Sequence, residues 1–131
     1  MYLLDTNICI YIIKQKPQQV LEKLMKIDCN DIAISTITIA ELEYGAEKSL
    51  HKEKNKIALL EFLSVFQIIE FDDKDAVEYG KIRADLEKCG QPVGAMDMLI
   101  AAQARARDCT LVSNNIKEFK RIANLKLENW V

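Results

Sequence analysis

The 131-residue sequence is poor in the residues that interrupt or staple a chain: it holds 4 glycines, 2 prolines, 1 tryptophan and 1 histidine. With half its residues hydrophobic and 29% charged, this excludes linker-rich, collagen-like and disordered classes. The four cysteines, Cys9, Cys29, Cys89 and Cys109, stand far apart without a C-x-x-C pair, and His51 is the sole imidazole, so a zinc site lacks its ligands. Scattered single cysteines read instead as reduced, mostly buried thiols of a cytosolic protein. Positive charge is not in excess either. Eighteen Lys and Arg against 20 Asp and Glu give a formal charge of −2, so no global field draws the chain to nucleic acid. A nucleic-acid partner must be held by a local patch or by metal. No uncharged run approaches the ~20 residues of a spanning helix. The apolar opening Met1 to Ile13 has no basic leader and carries Asp5, Thr6 and Asn7 in its middle. It reads as neither signal nor membrane span, and the expected location is the cytoplasm.

What is present suits one domain spanning residues 1–131, a length that buries roughly two-thirds of the unfolded chain's surface. Met1 to Leu4 reads as a buried strand that hands over at Asp5-Thr6-Asn7 to a helix of about Ile8 to Gln15. Pro17 then opens a second helix with Val20, Leu21, Leu24 and Ile27 along one stripe. A second strand, Ile32 to Ser35, precedes a helical stretch from Ile39 to Gly45 with Thr36 and Thr38 as its caps. His51 to Phe66 predicts a helix with one buried face, the Lys52 to Lys56 charge run lying on its solvated side. Gln67 to Phe71 is a third strand, and Asp73 to Cys89 a long helix ended by Gly90 and Pro92. A helix from about Ala95, a strand at Thr110 to Val112, a short helix around Lys117 to Ile122 and a fifth strand at Leu125 to Leu127 complete the pattern. Short apolar strands alternating with helices predict an α/β fold, its mostly parallel sheet covered on both faces.

In such sheets ligands collect beyond the carboxyl ends of the strands. Asp5 follows the first strand, Glu41 comes shortly after the second, Asp97 opens the helix after Gly94, and Asn115 follows the fourth. Singly, each has a bland role: Asp5 as a helix cap, Glu41 and Asp97 as first-turn charges, Asn115 as a turn residue. Together they are more telling. Carboxylates gathered at one rim repel one another and need a cation to stay ionised. Oxygen donors without His or Cys select Mg²⁺ or Mn²⁺, and Mg²⁺ bridges readily to substrate phosphates.

The stretches Leu3-Leu4-Asp5-Thr6-Asn7, Ile37 to Gly45, Pro92 to Ala102, and Leu111 to Asn115 with Phe119 resemble, in order, the motifs of PIN-domain proteins. The resemblance runs nearly end to end. It is most specific to the VapC toxins, the single-domain ribonucleases of type II toxin–antitoxin modules, down to the closing Leu125 to Trp130. It implies a PIN-like three-layer fold, its short sheet of four or five strands flanked by helices. The implied activity is a Mg²⁺-dependent endoribonuclease, with Mn²⁺ able to substitute, cleaving tRNA or rRNA to halt translation. A cognate antitoxin that blocks the enzyme and a homodimer are also implied, Leu42, Tyr44 and the Met1 to Ile13 run being candidates for the contact.

Carried residue by residue, Asp5, Glu41 and Asp97 fall on the acidic metal-binding positions, and Asn115 stands where many relatives have a fourth Asp. These four form the expected catalytic set, Thr6, Thr38 and Ser113 orient the acids, and Lys117, Lys120 and Arg121 are the expected RNA contacts. Hydrolysis by external water predicts 5′-phosphate and 3′-hydroxyl ends. The neutral Asn115 also admits a catalytically impaired module that binds RNA or an antitoxin. A phosphoacceptor signalling domain is disfavoured, since Ser113-Asn114-Asn115 offers no lysine and strand one no adjacent acidic pair.

Overall fold

A computed structural model of the chain describes all 131 residues. The order is β1 (Tyr2–Leu4), α1 (Thr6–Lys14), α2 (Gln18–Met25), β2 (Ile32–Ser35), α3 (Thr36–Glu47), α4 (Lys52–Leu63), β3 (Gln67–Ile69), α5 (Asp73–Lys88), α6 (Ala95–Ala106), β4 (Thr110–Val112), α7 (Ile116–Phe119) and β5 (Leu127–Glu128). The five strands form one sheet in the order β3-β2-β1-β4-β5, and every neighbouring pair is parallel. The α/β, three-layer expectation holds, with "mostly parallel" sharpened to wholly parallel.

Period-two alternation splits the core in two. Leu3, Ala33 and Leu111 face Ile82 and Leu86 of α5, Met98, Ala101 and Ala102 of α6, and Phe119. Leu4, Ile32, Ile34 and Val112 face the other way, onto Ile8, Val20, Leu42, Leu59 and Phe62 of α1 to α4 and onto Trp130. Both sheet faces are therefore dry, which is why the strands read as continuous apolar runs. Fully burying a Leu or Ile is worth ~1.5–3 kcal/mol.

Several local expectations are corrected. Helix α3 begins at Thr36 and is capped by Ser35, whose hydroxyl accepts from Ile37 N, so the threonines are not its caps. Helix α1 starts directly at Thr6 because Asp5 is its N-cap. The short helix sits at Ile116–Phe119, starting one residue and ending three residues earlier than expected, and the last strand at Leu127–Glu128 is displaced by a residue or two. Gly90 does end α5, with φ +65°. Of the cysteines, Cys9 and Cys109 are buried but Cys29 and Cys89 are exposed, and all four are free thiols. The charge run at α4 pairs with α3, Lys52 to Glu47 and Lys56 to Glu43 and Glu47. No helix is long and apolar enough to cross a membrane.

Candidate active site

Strand β1 lies between β2 and β4, so the chain runs out on opposite sides of it and leaves a crevice beyond its carboxyl end. Asp5 fills that position. Its backbone N–H bonds to Val112 O of the adjacent strand at 2.9 Å, and its side chain does two things at once. Oδ1 accepts from Thr6 N at 2.8 Å, capping α1, while Oδ2 accepts from Ser113 Oγ at 2.7 Å. Burial of this carboxyl, only 5% exposed, raises its pKa, and the Ser113 hydroxyl and Thr6 N–H pull it partly back.

Thr6 joins two acids. Its N–H holds Asp5 and its Oγ1 donates to Glu41 Oε1 at 2.7 Å, locking a side chain on the second turn of α3 beside the start of α1. Asp97 arrives from the other side, as the third residue of α6, where the unsatisfied N–H groups of the first turn favour an anion. Nonetheless its pKa is raised to about 7, first by burial and then by the charge of Asp5, a hydrogen bond and charge at Glu118, and the charge of Glu41. Burial, with repulsion among the acids added to it, thus outweighs the helix dipole.

Asn115 closes the arrangement. Its Nδ2 donates to Asp97 Oδ2 at 3.3 Å and to Glu118 Oε2 at 2.6 Å, and its backbone N–H donates to Ser113 Oγ at 3.0 Å. Asp5, Glu41, Asp97 and Asn115 are brought together as expected, with Thr6 and Ser113 as the hydroxyls that orient the acids. Thr38 is not among them: its hydroxyl is fully buried and meets no partner. Glu118, a fourth carboxylate, was missed by the sequence reading. The signal for it was the i, i+3 spacing from Asn115 on one helical turn.

The donor set suits a hard divalent cation: four carboxylates, one amide and two hydroxyls, with no basic side chain hydrogen-bonded to any of these acids. No three acids already close on one point. Two or three of them would hold such an ion, leaving its other positions to water. Of the expected RNA contacts, Lys117 and Lys120 are exposed on or beside α7 and form no ion pair. Arg121 is half-buried and donates through Nη1 to Pro92 O, so it braces the loop leading to Asp97.

A PIN-domain family model matches residues 2–125. Ribonuclease VapC2 of Rickettsia felis is 51% identical over 130 residues, covering 98% of this chain and 97% of that protein. The tRNA(fMet)-specific endonuclease VapC of Salmonella typhimurium is 41% identical over 129 residues, with 98% and 97% covered. The crystal structure of VapBC2 from Rickettsia felis bound to a promoter DNA fragment superposes with a TM-score of 0.93 at 50% identity, covering 99% of this chain and 98% of that one. The chain belongs to the PIN-domain family and, within it, to the VapC ribonucleases.

Proposed function

We propose that this ribonuclease is a divalent-metal-dependent endonuclease that serves as the toxin of a toxin–antitoxin module. The observation that carries the reading is the gathering of Asp5, Glu41, Asp97 and Glu118 along one rim, with Asp97 raised to about 7 by burial and by its acidic neighbours. Asp5, Asp97 and Glu41 would hold Mg²⁺ or Mn²⁺, with Glu118 completing the acidic rim. The ion, when bound, supplies Lewis acidity and a water of lowered pKa at the scissile phosphate. Asp5 is fixed by Ser113 and Thr6 and cannot swing away. Glu41, steered by Thr6, orients the attacking water, and Asn115 holds Asp97 and Glu118 apart from free rotation. External water as nucleophile leaves 5′-phosphate and 3′-hydroxyl ends.

Because the Salmonella and Shigella relatives, at 41% and 42% identity, are named as tRNA(fMet)-specific, tRNA is the first substrate class to assay. The antitoxin part of the proposal has a physical seat. A groove of about 320 Å³ runs between α1, α3 and α4, walled by Ile10, Ile13, Leu42, Ala46 and Leu59, and it reaches Glu41. An antitoxin segment seated there covers an acid of the site. A homodimer in the cytoplasm is part of the same proposal, with sedimentation of the purified protein as its check. Against the impaired-module alternative stands Glu118, a carboxylate held beside the neutral Asn115.

The test is cleavage of total RNA by purified protein with Mg²⁺, Mn²⁺ or chelator, beside Asp5→Asn and Asp97→Asn. Discrete metal-dependent fragments with 5′-phosphate ends, lost in both variants, are expected. Cleavage that survives both substitutions, or 2′,3′-cyclic phosphate ends, overturns it.

A further inference from the structure

Three consecutive side chains after β4 each reach a different part of the molecule. Ser113 bonds Asp5, Asn115 bonds Asp97 and Glu118, and the residue between them, Asn114, donates through Nδ2 to the Tyr11 hydroxyl at 2.8 Å. Tyr11 lies more than a turn into α1, the helix that Asp5 caps. The loop is therefore pinned to α1 twice, at its first residue and again where Tyr11 reaches back toward it. The two ties close a ring through Asp5, α1, Tyr11, Asn114 and Ser113.

The Tyr11 ring packs against the Leu4 and Val112 side of the core, a task phenylalanine would perform equally well. Its hydroxyl bonds no side chain but that of Asn114, and a part-buried polar tip costs free energy unless it is satisfied. The hydroxyl is thus spent on the loop. Asn114 hydrogen-bonds to none of the acids, so the effect of the pair on chemistry must pass through the placement of its neighbours. We infer that Tyr11, acting through Asn114, is a positioning residue that holds the Ser113–Asn115 loop in the conformation that presents Asn115 to Asp97 and Glu118.

This inference rests on the ribonuclease reading for its kinetic arm only. Tyr11→Phe and Asn114→Ala, singly and together, are assayed for RNA cleavage with Mn²⁺ and for hydrogen exchange at the Asn115 backbone amide, which donates to Ser113 Oγ. A positioning role predicts kcat lowered about tenfold in each single variant with KM within twofold, and a double variant no slower than the slower single. It also predicts faster exchange at Asn115 in Tyr11→Phe while the unfolding midpoint scarcely moves. Unchanged kcat, a loss confined to KM, or single effects that multiply would each overturn it. Should the wild-type protein cut no RNA, the ribonuclease reading fails separately, and unchanged exchange at Asn115 still overturns the tether.

Discussion

Ser113 Oγ donates to Asp5 Oδ2 at 2.7 Å, joining residues 108 apart in sequence inside a region closed to solvent. The bond exists because β4 lies parallel to β1 with Leu4 opposite Val112, so the residue after each strand emerges beside the other. A buried carboxylate needs such donors, and Ser113 also accepts from the Asn115 N–H. One hydroxyl thus serves the first acid and the loop that carries the amide.

Ser113→Ala removes that hydroxyl and leaves Asp5 Oδ2 and the Asn115 N–H without a partner. A loss of about 1–3 kcal/mol in urea unfolding is expected, together with a further rise in the Asp5 pKa, because a bond that favoured its charged form is gone. An Asp5 titration that stays put, followed by NMR in the variant, would show that burial alone sets this acid.

The raised acids also make the metal-free protein sensitive to pH. Asp97 sits at about 7 in the fold against 3.8 unfolded, and Asp5 is shifted in the same direction, so the folded state binds more protons between those values. Stability contributed by these groups is fully present below pH ~4 and is lost as pH rises through about 7. In chelator, the unfolding midpoint of the wild type should fall between pH 5 and 8 more steeply than that of Asp97→Asn. At pH 8, Mg²⁺ or Mn²⁺ should raise the wild-type midpoint and leave Asp97→Asn nearly unmoved. Parallel curves for the two proteins would refute the coupling.

Glu118→Gln separates charge from shape at the acid that sequence reading passed over. The amide keeps a carbonyl to accept from Asn115 Nδ2 but removes one of the charges that hold Asp97 up. Its expected effects oppose each other in a measurable way. The Asp97 pKa falls toward the ordinary carboxylate range, while Mn²⁺ affinity, read by calorimetry, weakens by roughly 10- to 100-fold. An affinity equal to wild type would place Glu118 outside the metal's reach.

Most of the frame was legible because burial on both faces writes itself as uninterrupted apolar runs. Ile32 to Ser35 and Thr110 to Val112 are strands to the residue. Asp5, Glu41 and Asp97 were legible because each follows a strand or opens a helix at the same rim. Glu118 was not, since a lone Glu on a four-residue helix looks like first-turn charge until the fold turns that helix toward Asp97. Thr38 misled for the converse reason. Its place near the start of α3 suggested a cap or a partner of the acids, but Ser35 takes the capping role and the Thr38 hydroxyl is sealed in the interior. Arg121 read as one of three equivalent cations, and only the approach of the Pro92 carbonyl distinguishes it.

That distinction makes the basic cluster divisible by experiment. Lys117 and Lys120 are exposed, carry no ion pair, and flank an acidic centre that by itself repels RNA. If they hold phosphates, Lys117→Ala with Lys120→Ala should reduce the slope of log Kobs against log salt by about 1.4, taking ~0.7 per phosphate on single-stranded RNA. Binding should weaken evenly across sequences, because phosphate contacts carry no base information. Arg121→Ala should behave differently. Freed from Arg121, the Pro92 to Gly94 loop no longer anchors the start of α6, so the loss falls on kcat through Asp97 while the salt slope changes little. A slope lowered equally by all three substitutions would return Arg121 to the RNA face and leave the loop without its brace.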